Sequence, residues 1–331
     1  MNAQKNEASG AAGTRGTSQN ASRFYHPTAD YVPTADYVGD FQEAIRSAGL
    51  EPPEIVADGR LHRFASNGKR GDEAGWYVLH GDGVPAGVFG NWRTGFTQTW
   101  RADIGRKLTS GEESENRARW EAMRRQREQE QVDRHQKAQA DAERIWQTSA
   151  PAPEDHPYLA RKGVHAYGVR IHHGSLVIPA HGRDGRLTSL QFIGPNGNKR
   201  FLPGGKMQGG HFIICVPAGV LCIVEGFATG ATVYEATGYG VAVAFNAGNL
   251  LPVAKAMRDK YPDAKIIICA DDDHRTEGNP GLTKAKEAAR EIGAMLSVPL
   301  FGSARPAAAT DFNDLARLSG IDAVREQILW I

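Results

Sequence analysis

Between residues 213 and 303, short and wholly apolar runs alternate with segments of helical periodicity. VLCIV, VAVAF, KIIICA and LSVPL are separated by ATGATVYEAT, NLLPVAKAMRDKY and GLTKAKEAAREIGA. A strand that is apolar on both faces has no side to turn to water, so it belongs in a parallel sheet covered by helices. The pattern predicts an α/β domain with a Rossmann-like parallel sheet and right-handed connections. Ligands of such sheets sit beyond the carboxyl ends of the strands, and this segment keeps its acids there. Glu225 follows LCIV, and Asp271, Asp272 and Asp273 follow IIICA. Several carboxylates gathered at one edge cannot all stay ionised cheaply without a cation. Hard divalent ions suit oxygen ligands and keep waters for substrate phosphates, so Mg2+ or Mn2+ is the expected cofactor. Alternation along an extended backbone puts Asp271 and Asp273 on one side and turns Asp272 away. Asp271 and Asp273 are therefore expected to hold the ion, with Glu225 as a further ligand or as a general acid or base. The competing structural reading makes these acids helix caps, Asp273 above all.

The rest of the chain divides by composition. Its 331 residues are enough for about two domains. A formal net charge of +1 excludes binding of nucleic acid by the chain's overall field, so any basic surface must be local. Residues 1–38 are rich in Gly, Ala, Ser and Thr and read as a disordered tail. It holds a tandem PTADYV repeat, taken as linker rather than as a docking motif anchored on Tyr31 and Tyr37. Residues 39–104 read as a small α+β module, with a helix FQEAIRSAGL capped by Asp40. Its interleaved aromatic and basic residues, Trp92 and Arg93 among them, could stack bases and follow phosphates; Trp residues serving as core are the alternative. Residues 105–150 carry alternating charges without a coiled-coil seam and read as a solvated helical linker. Residues 151–212 form a basic subdomain in which two strands meet at an Asp184-Gly185 turn, and residues 304–331 a helical extension. The three cysteines, Cys215, Cys222 and Cys269, form no C-x2-C pair, so no zinc is expected. Buried reduced thiols, no apolar stretch of membrane length and no secretory h-region place the chain in the cytoplasm, away from membranes.

The sequence V224-E225-G226 ahead of a helix, and the later strand ending in Asp271-x-Asp273 with Gly281 and an Ala-rich helix, resemble the Toprim domain. Bacterial-type primases, topoisomerases of types IA and II and certain nucleases share that fold. The resemblance to the primases extends further. YLARKGV (158–164), LVIPAHGRDGRLTSLQFIG (176–194), NKRFLPG (198–204) and TDFNDL (310–315) resemble primase stretches in the same order and spacing, over residues 157–316. Residues 39–104 stand where replicative primases carry a zinc-binding module, and are similar to N-terminal modules of phage- and plasmid-encoded Toprim primases. There are departures: Thr229 stands where primases carry an Asp, Thr310 replaces a Lys, and Asn313 replaces an acid.

The resemblance implies a nucleotidyltransferase of the DNA-directed RNA polymerase type, making short primers on single-stranded DNA from NTPs for a mobile element. It adds Asp311 to the metal ligands. It gives Arg161, Lys162, Lys199, Arg200 and Lys206 contacts with template and nucleotide phosphates. Asn246, at a third strand's carboxyl end, either touches nucleotide phosphate or sugar or caps the following helix. No G-x-x-x-x-G-K-[ST] loop occurs, so the replicative helicase is expected to be a separate partner. The alternatives are a Toprim nuclease working with the same metals, and a non-catalytic DNA-binding replication accessory.

Overall fold

The computed structural model describes residues 36–66, 73–303 and 305–330, in two compact units that meet in sequence at Met123 and Arg124. The first copy of the PTADYV repeat lies outside the described residues.

In the first unit, helix α1 (Tyr37–Ser47) starts at Asp36, whose carboxylate accepts from the Gly39 N–H at 2.9 Å. The helix thus begins earlier than Asp40 would place it, and the second PTADYV copy ends inside it. Asp36 wins because its side chain, not that of Asp40, satisfies an otherwise orphaned first-turn donor. Strands β1 (His62–Phe64), β2 (Gly75–His80), β3 (Ala86–Asn91) and β4 (Phe96–Arg101) form an antiparallel meander in that order. The Phe41 ring meets Tyr77, Phe89 and Trp100 edge-on, at centroid distances of 5.3–6.0 Å. A Cβ at Gly87 would lie 2.6 Å from that ring, so a glycine is what lets α1 approach the sheet. Trp76 and Tyr77 are core residues, whereas Trp92 and Phe96 remain 40% and 38% exposed.

Helix α2 (Ser110–Thr148) is a single run of 39 residues. It is less solvated than its charge suggests. In the first unit Trp120 and Met123 pack with Trp76 and Val88. In the second unit Ala142, Ile145 and Trp146 pack with Val177, Leu190 and Phe192.

The second unit holds two five-stranded sheets. One is antiparallel, in the order β5 (Ala150–Pro151), β6 (Arg170–His172), β7 (Ser175–His181), β8 (Leu187–Ile193) and β9 (Lys199–Phe201). Helix α3 (Pro157–Lys162) stands between β5 and β6. The chain then builds β10 (Phe212–Cys215), β11 (Val220–Val224), α4 (Phe227–Thr237), β12 (Gly240–Val243), α5 (Leu250–Lys260), β13 (Lys265–Cys269), α6 (Pro280–Ile292) and β14 (Met295–Ser297). The sheet order is β10-β12-β11-β13-β14, and the last four strands are mutually parallel. β10 pairs antiparallel with β12 across a bulge. That edge strand was not anticipated, because FIIC ends in the half-exposed Cys215 and lacks the flanks of the other runs. Leu221, Ile223, Ile266 and Ile268 pack under α5 and α6. Cys222, Val224, Val243 and Cys269 pack under α4 and under helices α7 (Phe312–Ser319) and α8 (Ile321–Leu329). Leu159, Leu176, Ile178 and Ile193 of the antiparallel sheet and α3 belong to that same core. The boundary expected between residues 212 and 213 therefore falls within one continuous hydrophobic interior. Among the described residues, no helix is long and apolar enough to cross a membrane.

Candidate metal and nucleotide site

The connection after β11 runs through α4 on one face of the sheet, and the connection after β13 runs through α6 on the other. Their divergence opens a crevice at the carboxyl ends of β11 and β13, the place where such sheets bind ligands. Glu225 leaves β11 there, and Asp271 lies two residues beyond the end of β13. A Cβ on Gly281, in the first turn of α6, would lie 2.7 Å from the Asp271 carbonyl oxygen, 2.9 Å from Asp273 Oδ2 and 3.1 Å from Glu225 Oε1. The helix start is thus pressed against all three acids, and the Gly281 N–H donates to Asp273 Oδ2 at 3.2 Å. Asp273 supports the start of α6 in this way from eight residues upstream, while Asn279 occupies the cap position itself. Asp311 caps α7, with Oδ1 accepting from the Asp314 N–H at 2.8 Å. Its Oδ2 accepts from the buried Thr229 hydroxyl at 3.1 Å. Thr229, standing where a carboxylate was expected, thereby holds a neighbouring one.

Glu225, Asp271 and Asp311 line a cleft of about 110 Å³, with Lys199, Lys162, Tyr158 and Phe245 among its walls. Glu225 Oε1 and Asp271 Oδ1 are buried and have no hydrogen-bond partner. Burial, and after it the charge of Asp273, pushes the Glu225 carboxyl up to about 7, against the pull of Lys199. Burial first, then Glu225 and Asp311, pushes Asp271 well above the usual carboxylate range. Acceptors that are buried, crowded by like charge and unsatisfied are costly, and a divalent cation would relieve all three conditions. Among the described residues, no group of three or more acids, histidines or cysteines is placed to hold a metal ion by itself. The two orphaned oxygens of Glu225 and Asp271 would suit a hard ion that takes one or two carboxylates and keeps the rest of its shell as water.

The electrostatics predict a pH dependence. In the folded, metal-free protein Glu225 binds its proton more tightly than at its ordinary value of 4.5. Stability should then fall as pH rises from about 4.5 to about 7, by on the order of 3 kcal/mol for Glu225 alone, and level off above that. Thermal unfolding followed from pH 4.5 to 8 checks this. Added Mg2+ should raise the melting temperature most at the alkaline end.

The expected basic residues separate. Lys199 Nζ lies 3.8 Å from the point a Cβ on Gly226 would occupy, beside the acids. Lys162 reaches the same cleft and pairs with Asp314 at 3.6 Å. Arg200, the next residue along β9, points to the opposite side and stacks over Phe192 at 4.9 Å. Arg161 donates to the Pro195 carbonyl at 3.0 Å and so braces the turn before β9. Lys206 lines a different cleft, of about 750 Å³, with Arg183 and Lys255. Asn246 caps the 3-10 turn before α5, accepting from the Asn249 N–H at 3.0 Å. Trp92 and Arg93 lie in the first unit, where Trp92 stacks on Trp76 at 5.1 Å with the Arg63 guanidinium 5.8 Å from its ring centre.

Three features escape sequence reasoning. Phe245 takes φ +72° at the end of β12, a backbone state rare for an aromatic residue. Its ring lines the cleft and meets Phe201 of β9 edge-on at 6.2 Å. Buried Asn249 ties the loop before β10 to the end of β12. It accepts from the Gly209 N–H and donates to the Gly210 and Ala244 carbonyls, all within 2.9 Å. Asp272, turned from the cluster as expected, is gripped by Arg305 and Asn279 at 2.6 Å each. Burial would raise its carboxyl, but these hydrogen bonds outweigh that and hold it below its ordinary value.

Residues 219–298 match the Toprim domain family. Two Escherichia coli proteins named DNA primase TraC are similar to the chain. One is 37% identical over 79% of this chain and 26% of its own length; the other is 38% identical over 80% and 20%. The chain thus spans about a quarter of the length of the curated relatives it matches, or less. Among solved structures, the Aquifex aeolicus primase (zinc-binding and RNA polymerase domains) aligns over 89% of this chain and 85% of that one, at 11% identity and a TM-score of 0.44. Residues 219–298 thus match a Toprim domain, and some four-fifths of the chain is similar to part of each of two proteins named DNA primase TraC.

Proposed function

We propose that this chain is the catalytic part of a DNA primase, joining NTPs into short primers on a single-stranded template. The observation that carries this reading is the pair of buried, unpartnered oxygens of Glu225 and Asp271 at the crevice, with Lys199 beside them. The homology with DNA primases supports it. Asp271, Asp273, Glu225 and Asp311 would hold the ion, Mg2+ or Mn2+. A divalent ion bound there makes an attacking hydroxyl more acidic and neutralises charge at the reacting phosphate. Lys199 and Lys162 bind the triphosphate and bring its α-phosphate to the acids. The 3′-oxygen of one nucleotide bonds to the α-phosphorus of the next, the bond to pyrophosphate breaks, and the hydroxyl proton leaves to a base. Glu225, in the alternative where it is not itself a ligand, is suited to take that proton, since burial pushes its carboxyl up to about 7. Trp92 and Arg93 give the first unit a surface on which single-stranded bases can stack. The setting is the cytoplasm, with a separate helicase supplying unwound template.

The test is labelled NTP incorporation on single-stranded DNA with Mg2+ or Mn2+. Short labelled products that vanish on chelation are expected. Metal-dependent cleavage of the template without NTP incorporation would replace this reading with a nuclease, and DNA binding with neither activity would replace it with an accessory role.

A further inference from the structure

Asp272 sits between two acids of the cluster yet spends its whole polar surface elsewhere. Its Oδ2 accepts from Arg305 Nη1 at 2.6 Å and its Oδ1 from Asn279 Nδ2 at 2.6 Å. Its carbonyl accepts from Arg305 Nη2 at 2.9 Å, and its N–H donates to the Thr310 carbonyl at 2.8 Å. The same guanidinium donates through Nε and Nη2 to the Ala309 carbonyl, at 2.9 and 2.7 Å. Its carbon lies 4.3 Å from the centre of the Phe301 ring. A planar fork held at both ends and stacked on one face has little freedom left. One end grips the segment that carries Asp271 and Asp273. The other grips the residue two before Asp311.

We infer that Arg305 and Asp272 form a strut that sets the spacing between the strand-end acids and Asp311, and so tunes the site's affinity for its divalent ion. Both are positioning residues: neither lines the cleft, and they act through the backbone of 271–273 and 309–311. The inference rests on the metal-site reading above. Outer partners that orient metal ligands typically govern affinity by roughly ten- to a hundredfold. Losing the fork should let the two segments drift, weakening binding while leaving the ligands themselves intact.

Mn2+ binding to the whole chain, read from the electron paramagnetic resonance of free Mn2+, tests this without recourse to activity. Arg305→Ala and Asp272→Asn should weaken Mn2+ binding by roughly tenfold or more. Arg305→Lys, which can still pair with Asp272 but has no fork to reach Ala309, should fall between. Lys255→Ala breaks an exposed ion pair with Glu291 in the same unit and should change nothing. Primer synthesis by the variants should recover at saturating Mn2+, which a purely structural loss would not do. Wild-type affinity in folded Arg305→Ala and Arg305→Lys would overturn the strut alone. A wild-type chain that binds no Mn2+ would overturn the metal-site reading and the strut with it.

Discussion

Asp271→Asn should abolish primer synthesis and stabilise the metal-free protein at the same time. The residue is half-buried, and its Oδ1 is shut off from solvent without a hydrogen-bond partner. On the proposed metal site, this change removes one of the ligands, and the rate of NTP incorporation should drop by roughly a thousandfold. The same change removes a carboxyl that burial and the charges of Glu225 and Asp311 disfavour in its ionised form. Without metal, the variant should melt higher than wild type near pH 8, by roughly 1–3 kcal/mol of stability. Its melting temperature should respond little to Mg2+. Parallel measurement of incorporation and of thermal unfolding, with and without Mg2+, checks both halves. A variant that is inactive but less stable would mean that Asp271 supports the fold rather than an ion.

Gly281→Ala should do the reverse of what helix propensity predicts. An alanine inside a helix normally adds up to about 1 kcal/mol over glycine, and Gly111, in the first turn of α2 with nothing closer than 4.0 Å, should behave that way. At Gly281 the new methyl would stand 2.7 Å from a carbonyl oxygen and about 3 Å from two carboxylate oxygens. Backbone cannot yield as a flexible side chain does, so α6 must back away from the strand end. The loss should be about 1–3 kcal/mol. A shift of well under 1 Å in Asp273 and Glu225 should still cost roughly a hundredfold in rate. Incorporation kinetics beside denaturant unfolding of Gly281→Ala and Gly111→Ala measure the contrast.

The parallel strands and the acids at their ends were legible in the sequence because both obey local rules: doubly apolar runs have one home, and residues following them fall at one edge. Alternation along the backbone also foretold that Asp272 turns away. What it turns toward was not legible, since Arg305 is 33 residues distant and joins through a loop with no periodicity. The basic residues were legible only as a group. Lys199 and Arg200 are neighbours of the same type, and which of them faces the acids depends on which side of β9 the parallel sheet covers. Asn246 shows how a short polar residue before a helix reads the same whether it caps or binds, until its hydrogen bond is seen.

The cleft draws its negative charge from one sheet and its nearest positive charge from another. Glu225 and Asp271 extend the parallel sheet, whereas Lys199 belongs to a three-residue strand of the antiparallel one. Their interiors are fused through Leu159, Leu176 and Ile178 on one side and Val224, Phe227 and Val243 on the other. Each sheet should then depend on the other to close its interior. The parallel half made alone would expose apolar surface and confine its acids with no counter-charge, and the antiparallel half would lose the partner that seals it. Assembly of the cleft and closure of the shared interior should accordingly occur together, in one unfolding transition of the second unit. A cut between residues 212 and 213, natural as it looks in the sequence, would divide a single folding reaction rather than separate two.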